Sequence, residues 1–199
     1  MLFPEEHPIN LNLPDADILY YPSFFNTIEA NNFYNNLLQD ISWQQDSITL
    51  FGKTHLQPRL TALYANNNNA YTYSGITMYP KPFLPDLATI KSRIETLIPK
   101  EFTSCLCNLY RNGKDSNGWH TDNEKELGKN PIIASVSFGA ERAFHLKHKT
   151  TRNLKHKLIL HHGSLLIMKG GTQKHWLHQI PKTQKAIGKR INLTFRIIY

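Results

Sequence analysis

The chain has 199 residues, 40% of them hydrophobic and 19% charged, which fits one globular domain with enough length to bury a substantial core. No run of roughly 18 apolar residues occurs, so no transmembrane helix is expected, and the amino terminus MLFPEEHPINLNLPDADILYY is acidic and lacks the apolar stretch of a secretory leader. The net charge of +8 bears on partners more than on fold.

In chain order, TIEANNFYNNLLQDIS places Tyr34, Leu37, Leu38 and Ile41 at i, i+3, i+4, i+7, the spacing of an amphipathic helix. The segment ITLFGKTHLQPRLTALYANNNNAYTYSG reads as one or two aromatic-rich hairpins, with the asparagine run from Asn66 to Asn69 as a loop tip. PDLATIKSRIETLI predicts a second helix, with Pro85 in the first turn and Leu87, Ile90, Ile94 and Leu97 along one face. Beyond residue 100 the pattern turns to short β-rich runs. SCLCNLY, IIASVSFG, AFHLKH, KLILHH, SLLIM, HWLHQI and RINLTFRIIY are separated by Gly, Asn, Pro and Lys-rich breaks. Seven strands at this spacing predict an α+β chain that is mainly β, a sandwich, barrel or jelly roll with the helices packed on one sheet. Cys105 and Cys107 share one face of a strand, where the geometry suits no ordinary disulfide. Both are expected as free thiols in a reducing, intracellular compartment: the cytoplasm of a bacterium or the nucleus of a eukaryote.

Basic residues thicken toward the carboxyl half. Lys147, His148, Lys149, Arg152, Lys155, His156 and Lys157 form one group; Lys182, Lys185, Lys189 and Arg190 form another. Either group alone is an ordinary solvated surface. Together with the overall excess they point to a polyanionic partner, most simply nucleic acid.

The segment GWHTDNE holds His120 and Asp122 at the same parity, so an extended backbone aims both side chains one way. In a chain with ten histidines such a pair arises easily by chance. It gains weight from what a mononuclear non-haem Fe(II) site requires: two histidines and a carboxylate on one side of the metal, with open positions for oxygen and a cosubstrate. The third ligand should come from a later strand folding back beside the first two. His145, His148, His156, His161, His162, His175 and His178 are the candidates. His175 and His178 have opposite parity, so only one of them can face a shared interior.

The carboxyl-terminal strand alternates almost completely. Ile191, Leu193, Phe195 and Ile197 occupy one face, and Arg190, Asn192, Thr194 and Arg196 the other. The polar face is either exposed or turned into a barrel, where arginine forks would clamp a dicarboxylate. Asn108 and Tyr110 share a face just upstream of the His-x-Asp segment and supply the other half of such a pocket.

At these residues a family becomes recognisable. NLYRNGKDSNGWHTDNE, followed by PIIASVSFGAER, HGSLLIM, HWLHQIP and RINLTFR, resembles the AlkB-like 2-oxoglutarate- and Fe(II)-dependent dioxygenases, most nearly the animal nuclear subgroup that repairs alkylated bases in duplex DNA. The resemblance covers roughly residues 48 to 199, leaving 1–47 as an amino-terminal extension and helix that joins the same compact unit. It implies a double-stranded β-helix, or jelly roll, with supporting helices and a hairpin nucleotide-recognition lid. It implies His120, Asp122 and His178 as iron ligands. Asn108, Tyr110, Arg190, Thr194 and Arg196 would bind 2-oxoglutarate, with Arg196 on the distal carboxylate and Arg190 near the chelating end. Phe51, Gly52 and Lys53 match the tip of a finger hairpin whose aromatic residue wedges into the duplex, and Arg59 matches a duplex-contacting arginine. Tyr71, Thr72, Tyr73 and Ser74 match a lid over the flipped base, and Asn123 and Glu124 fall where the family lines the base pocket. Asn123 stands where the subgroup usually has Asp.

The resemblance implies a monomeric DNA oxidative demethylase that uses Fe(II), 2-oxoglutarate and O2 on N-alkylated bases such as 1-methyladenine and 3-methylcytosine, with no membrane partner. Three rival readings stand beside this one, and the last of them fails on ligand type. The same chemistry could act on RNA or a protein side chain. A catalytically silent nucleic-acid-binding jelly roll would need neither the metal triad nor the arginine pair. A structural zinc site would favour a closed, Cys-rich ligand set.

Overall fold

A computed structural model describes residues 7–50, 53–68, 71–73 and 76–199. Two sheets face each other. The larger has eight strands in the spatial order Ile9–Asn10, Asp17–Tyr21, Ser164–Lys169, Ile133–Gly139, Arg190–Arg196, Ser104–Tyr110, Leu60–Ala65 and Lys81–Pro82. The smaller has four, Asn117–His120, Trp176–Ile180, Arg142–His148 and Lys155–Leu160. Apart from the final parallel pair of the large sheet, neighbouring strands run antiparallel. This is the jelly-roll architecture.

The period-2 alternation of the central strands divides the interior into two cores. Cys105, Cys107, Leu109, Ile191, Leu193 and Phe195 join Ala134, Val136 and Phe138 on one face of the large sheet. Helices α1 (Thr27–Asp40) and α2 (Pro85–Leu97) cover that face with Ala30, Leu37, Leu87, Ile90 and Ile94. Burying each of these leucines and isoleucines contributes roughly 1.5–3 kcal/mol. The opposite face, with Leu106, Tyr110, Ile133 and Leu166, meets Phe144, Leu146, Trp176 and Ile180 from the small sheet. Both cysteines are free and buried, their Sγ atoms 3.8 Å apart.

Both helices lie where their periodicity puts them. Asn26 begins α1 with a capping box, its side chain accepting from the Glu29 backbone N–H while the Glu29 carboxylate accepts from the Asn26 N–H. Leu97, expected on the buried face of α2, is 44% exposed. It lies in the last turn, past the edge of the sheet-facing stripe that ends at Ile94. All seven predicted strands are present, with ends shifted by at most three residues. Asp17–Tyr21 is an additional strand; it pairs with Ser164–Lys169 and brings the amino-terminal segment into the large sheet. The region read as one or two hairpins contains two, Ser47–Leu50 with Lys53–Leu56 and Tyr71–Tyr73 with Ile76–Met78. Between them, Leu60–Ala65 is a largely buried strand of the large sheet, paired with Ser104–Tyr110. No helix among the described residues is long and apolar enough to cross a membrane.

Candidate active site

Two strands of the small sheet set the first pair of side chains. Asn117–His120 and Trp176–Ile180 run antiparallel with His120 directly opposite His178, so their imidazole rings lie 4.2 Å apart between centroids. Asp122 lies two residues past the strand end and is buried, 2% exposed. One potential donor atom from each of His120, Asp122 and His178 lies within 4.8 Å of the others. His120 Nδ1 donates to the Gly118 carbonyl at 2.7 Å, which leaves the Nε2 lone pair available for a metal, and the Asn117 amide now donates to that nitrogen at 3.1 Å. His178 lies against the Phe144 ring, 5.2 Å between centroids. Two neutral imidazoles and one carboxylate suit Fe(II).

Burial pushes the His178 imidazole down from 6.5 to about 3, and the neighbouring His120 adds to this against the opposing pull of Asp122. Burial likewise lowers His120. For Asp122, burial acts to raise the carboxyl, but Arg196, His178 and His120 outweigh it, and the net direction is down. The sign for stability follows. Between pH 6.5 and about 3 the unfolded chain binds a proton at His178 that the folded, metal-free protein refuses, so acid favours unfolding. The chelator-treated protein should therefore lose thermal stability progressively as pH falls below about 6.5, and His178→Gln should flatten that slope. A wild-type melting temperature constant from pH 6.5 to 4 would contradict this.

His175, the rival ligand, lies in the short helix α3 (Thr172–His175) and not on the strand, so strand parity does not govern it. It belongs to a second grouping with Asp15 and His148. There the Thr151 backbone N–H donates to His148 Nδ1 at 3.0 Å, which puts the His148 proton on Nε2, 3.3 Å from the Asp15 carboxylate.

The polar face of the carboxyl-terminal strand points inward. Arg190 is 1% exposed, Asn192 8%, Thr194 7% and Arg196 3%, which rules out an exposed face. The cleft they line also receives Asn108, Tyr110, Ser135, His120, Asp122 and His178. Thr194 donates to the Asn192 side-chain oxygen at 3.2 Å, and the Asn192 amide donates to Ser135 Oγ at 2.8 Å. Ser135 lines this cleft and Ser137 accepts from Arg190 behind it, although the sequence reading names neither. The signal was their shared parity in SVSF.

The arginines stand in the opposite order from that expected. Arg196 Nη2 donates to Asp122 Oδ1 at 2.9 Å and so lies at the metal end. Arg190, six residues earlier on the strand and about 20 Å away along the backbone, sits over the Tyr110 ring at 5.1 Å and donates from Nη2 to Ser137 Oγ at 3.0 Å. Strand pairing sets this order: Arg190 pairs with Tyr110 and Arg196 with Ser104, and parity alone says nothing about which end meets the triad. Arg190 Nε and Nη1 are buried with no hydrogen-bond partner among the described residues. Burial lowers Arg190 to about 10. A buried cation with spare donors, in the same cleft as three potential metal ligands, is suited to a carboxylate-bearing ligand.

Two further expectations change. Arg59 is only 4% exposed and donates from Nε to Asn108 Oδ1 at 2.8 Å, so its guanidinium packs against the cleft and not against a surface duplex. It immediately precedes the buried strand Leu60–Ala65, which falls inside the region read as hairpins. Arg190 and His148 are buried and drop out of the surface basic groups. Lys147, Lys155 and Lys157 stay on the outer face of the small sheet. Phe51, Gly52 and Ser74 lie outside the described residues. The strands flanking Phe51 and Gly52 pair as a hairpin, as does the backbone of Tyr71, Thr72 and Tyr73 with Ile76–Met78. Asn123 is exposed and Glu124 partly buried, immediately after Asp122.

Two sheets that hold this donor set over an inward arginine define an oxygenase of the iron and 2-oxoglutarate class. Residues 17–196 match the model of the 2OG-Fe(II) oxygenase superfamily, and the chain belongs to it; Fe(II), 2-oxoglutarate and O2 are the metal, cosubstrate and oxidant of this class. Within it the relatives are AlkB homologues. The chain is 46% identical over 191 residues to alpha-ketoglutarate-dependent dioxygenase alkB homolog 3 of Homo sapiens, covering 92% of this chain and 66% of that protein. It is 37% identical over 188 residues to the DNA oxidative demethylase ALKBH2 of Mus musculus, covering 89% of this chain and 79% of that protein. The chain thus spans just under two-thirds of the length of the human alkB homolog 3. A solved structure described as "The structure of OsALKBH1" superposes with a TM-score of 0.68 at 15% identity, over 96% of this chain and 100% of that chain, a likeness of fold.

Proposed function

We propose that this chain removes alkyl groups from N-alkylated bases such as 1-methyladenine and 3-methylcytosine in duplex DNA, using Fe(II), 2-oxoglutarate and O2. The observation that carries it is the buried Arg190 with free donors, set in one cleft with the His120–Asp122–His178 triad. The DNA substrate is supported by relatives whose name is DNA oxidative demethylase. A second support is the outer face of the small sheet beside the site. Trp119, 39% exposed, carries the Lys147 Nζ at 4.4 Å over its ring, and Lys147 pairs directly with Lys155 across the sheet. Like charges directly opposite disfavour a sheet unless an anion lies against them, which a phosphate backbone would supply.

In this scheme His120, Asp122 and His178 hold the iron, and Arg196 holds the Asp122 carboxylate in place. Arg190 binds the distal carboxylate of 2-oxoglutarate, with Asn108, Tyr110 and Thr194 lining its path. Bound iron and cosubstrate supply the oxidation, in which 2-oxoglutarate and O2 become succinate and CO2 as the N-alkyl carbon gains a hydroxyl. For a methyl lesion the resulting hemiaminal breaks its N–C bond, giving the unmodified base and formaldehyde. One chain supplies every group named here, consistent with a monomer.

The test is to incubate the protein with Fe(II), 2-oxoglutarate, ascorbate and an oligonucleotide carrying one 1-methyladenine, as a duplex, a single strand and the matching RNA, and to weigh the product strand. Loss of one methylene from the duplex is expected. Turnover of the RNA alone would replace DNA as the substrate. The duplex element rests on Phe51 as a wedge that fills the gap left by an extruded base, where unstacking costs a few kcal/mol. Phe51→Ala should cut kcat/KM on the duplex by about tenfold or more and leave the single strand nearly unchanged, because only the duplex has a stack to open. Equal losses on both would remove the wedge.

A further inference from the structure

The strand that carries His120 ends there, and nothing in its pairing holds Asp122 two residues later. What meets Asp122 is Gln173, a residue in α3 that neither the motif nor the alternation marks. Its side-chain oxygen accepts from the Asp122 backbone N–H at 3.0 Å and from the Thr121 hydroxyl at 3.2 Å. Its main-chain carbonyl accepts from the same hydroxyl at 2.5 Å and from Lys149 Nζ at 2.9 Å. The amide is oriented by its surroundings. Oε1 faces a backbone donor, and Nε2 points to the Met168 sulfur at 3.6 Å. Gln173 is 1% exposed, so no water competes for these bonds. It precedes His178 by five residues on the segment that leads into the third ligand's strand.

We infer that Gln173 is a positioning residue for the metal site. It fastens the Thr121–Asp122 loop to the element bearing His178, so that the carboxylate is held at ligand distance before any metal arrives. The inference rests on His120, Asp122 and His178 being the ligands. A loop fastened on its backbone and held by Arg196 on its carboxylate has few ways to move. Without Gln173, a buried Asp122 N–H loses its acceptor, and the loop must shift to find another.

The experiment measures Mn(II) binding to the metal-free protein, anaerobically and without substrate, from the loss of the free-ion electron paramagnetic resonance signal. Wild type should bind one Mn(II), and Asp122→Asn should abolish it; if Asp122→Asn binds normally, the ligand assignment fails and the inference with it. Given that control, Gln173→Met, which keeps length and volume but removes the acceptor, should weaken Mn(II) about 10- to 100-fold, the usual effect of losing a partner that orients a ligand. An unchanged affinity, even with a lowered melting temperature, would make Gln173 a packing residue only and overturn the inference. Amide exchange in the wild-type metal-free protein gives a readout that does not depend on the variant folding. The Asp122 N–H should already be protected before Mn(II) is added. Free exchange there, with protection appearing only on metal binding, would also overturn it.

Discussion

Asp122→Ala and His178→Ala should each reduce dealkylation to the level seen without added Fe(II), while His175→Ala retains most of the activity. A three-ligand site has no spare donor, so either loss leaves a two-ligand fragment open to water. Asp122→Ala also strands Arg196, whose guanidinium is buried against that carboxylate. Removing one partner of a buried pair typically destabilises by about 3–5 kcal/mol. Asp122→Asn, which keeps the volume, separates loss of metal from loss of fold. His175 stands apart from this logic, because it lies in α3 beside His148, with ring centroids 5.9 Å apart, and outside the cleft. Activities measured alongside Mn(II) affinity check all three variants together. Equal collapse at 175 and 178 would mean the third ligand is assigned to the wrong residue.

Arg190→Met should weaken 2-oxoglutarate binding by about 30- to 4,000-fold, the equivalent of roughly 2–5 kcal/mol for truncating one partner of a buried, hydrogen-bonded charge pair. The same substitution should make the cosubstrate-free protein more stable. In that state Arg190 is a buried cation with two nitrogens lacking partners, and burial has lowered it to about 10 because the charged form is costly there. Methionine fills similar space at no charge cost. Loss of ligand affinity with a gain in melting temperature is hard to obtain from a purely structural arginine, whose removal would lower both. Titration of 2-oxoglutarate into the Mn(II)-loaded protein, with melting curves taken without cosubstrate, measures the two together. Normal affinity in the variant would place the distal carboxylate elsewhere.

Most of the elements and the polar face of the cleft could be read from local pattern. Alternation in RINLTFR placed Arg190, Asn192, Thr194 and Arg196 together, because side chains two apart on a strand must share a face. The spacing of Leu87, Ile90 and Ile94 marked α2 for the same kind of reason, a period of 3.6. Leu60–Ala65 was harder. Its run is nearly all apolar, since both of its faces are covered, and the period-2 signal that marks a half-buried strand vanishes.

The order of the two arginines, the burial of Arg59 and the role of Gln173 were beyond that reach. Each depends on which distant residues the sheets bring together. Register pairs Arg190 with Tyr110 and His120 with His178, and the crossing of the two sheets decides which end of the cleft holds the triad. Side-chain direction is a local property of the backbone and is written in sequence period. Which neighbour a side chain meets depends on strand order and register over separations of tens of residues, and only the assembled sheets decide it.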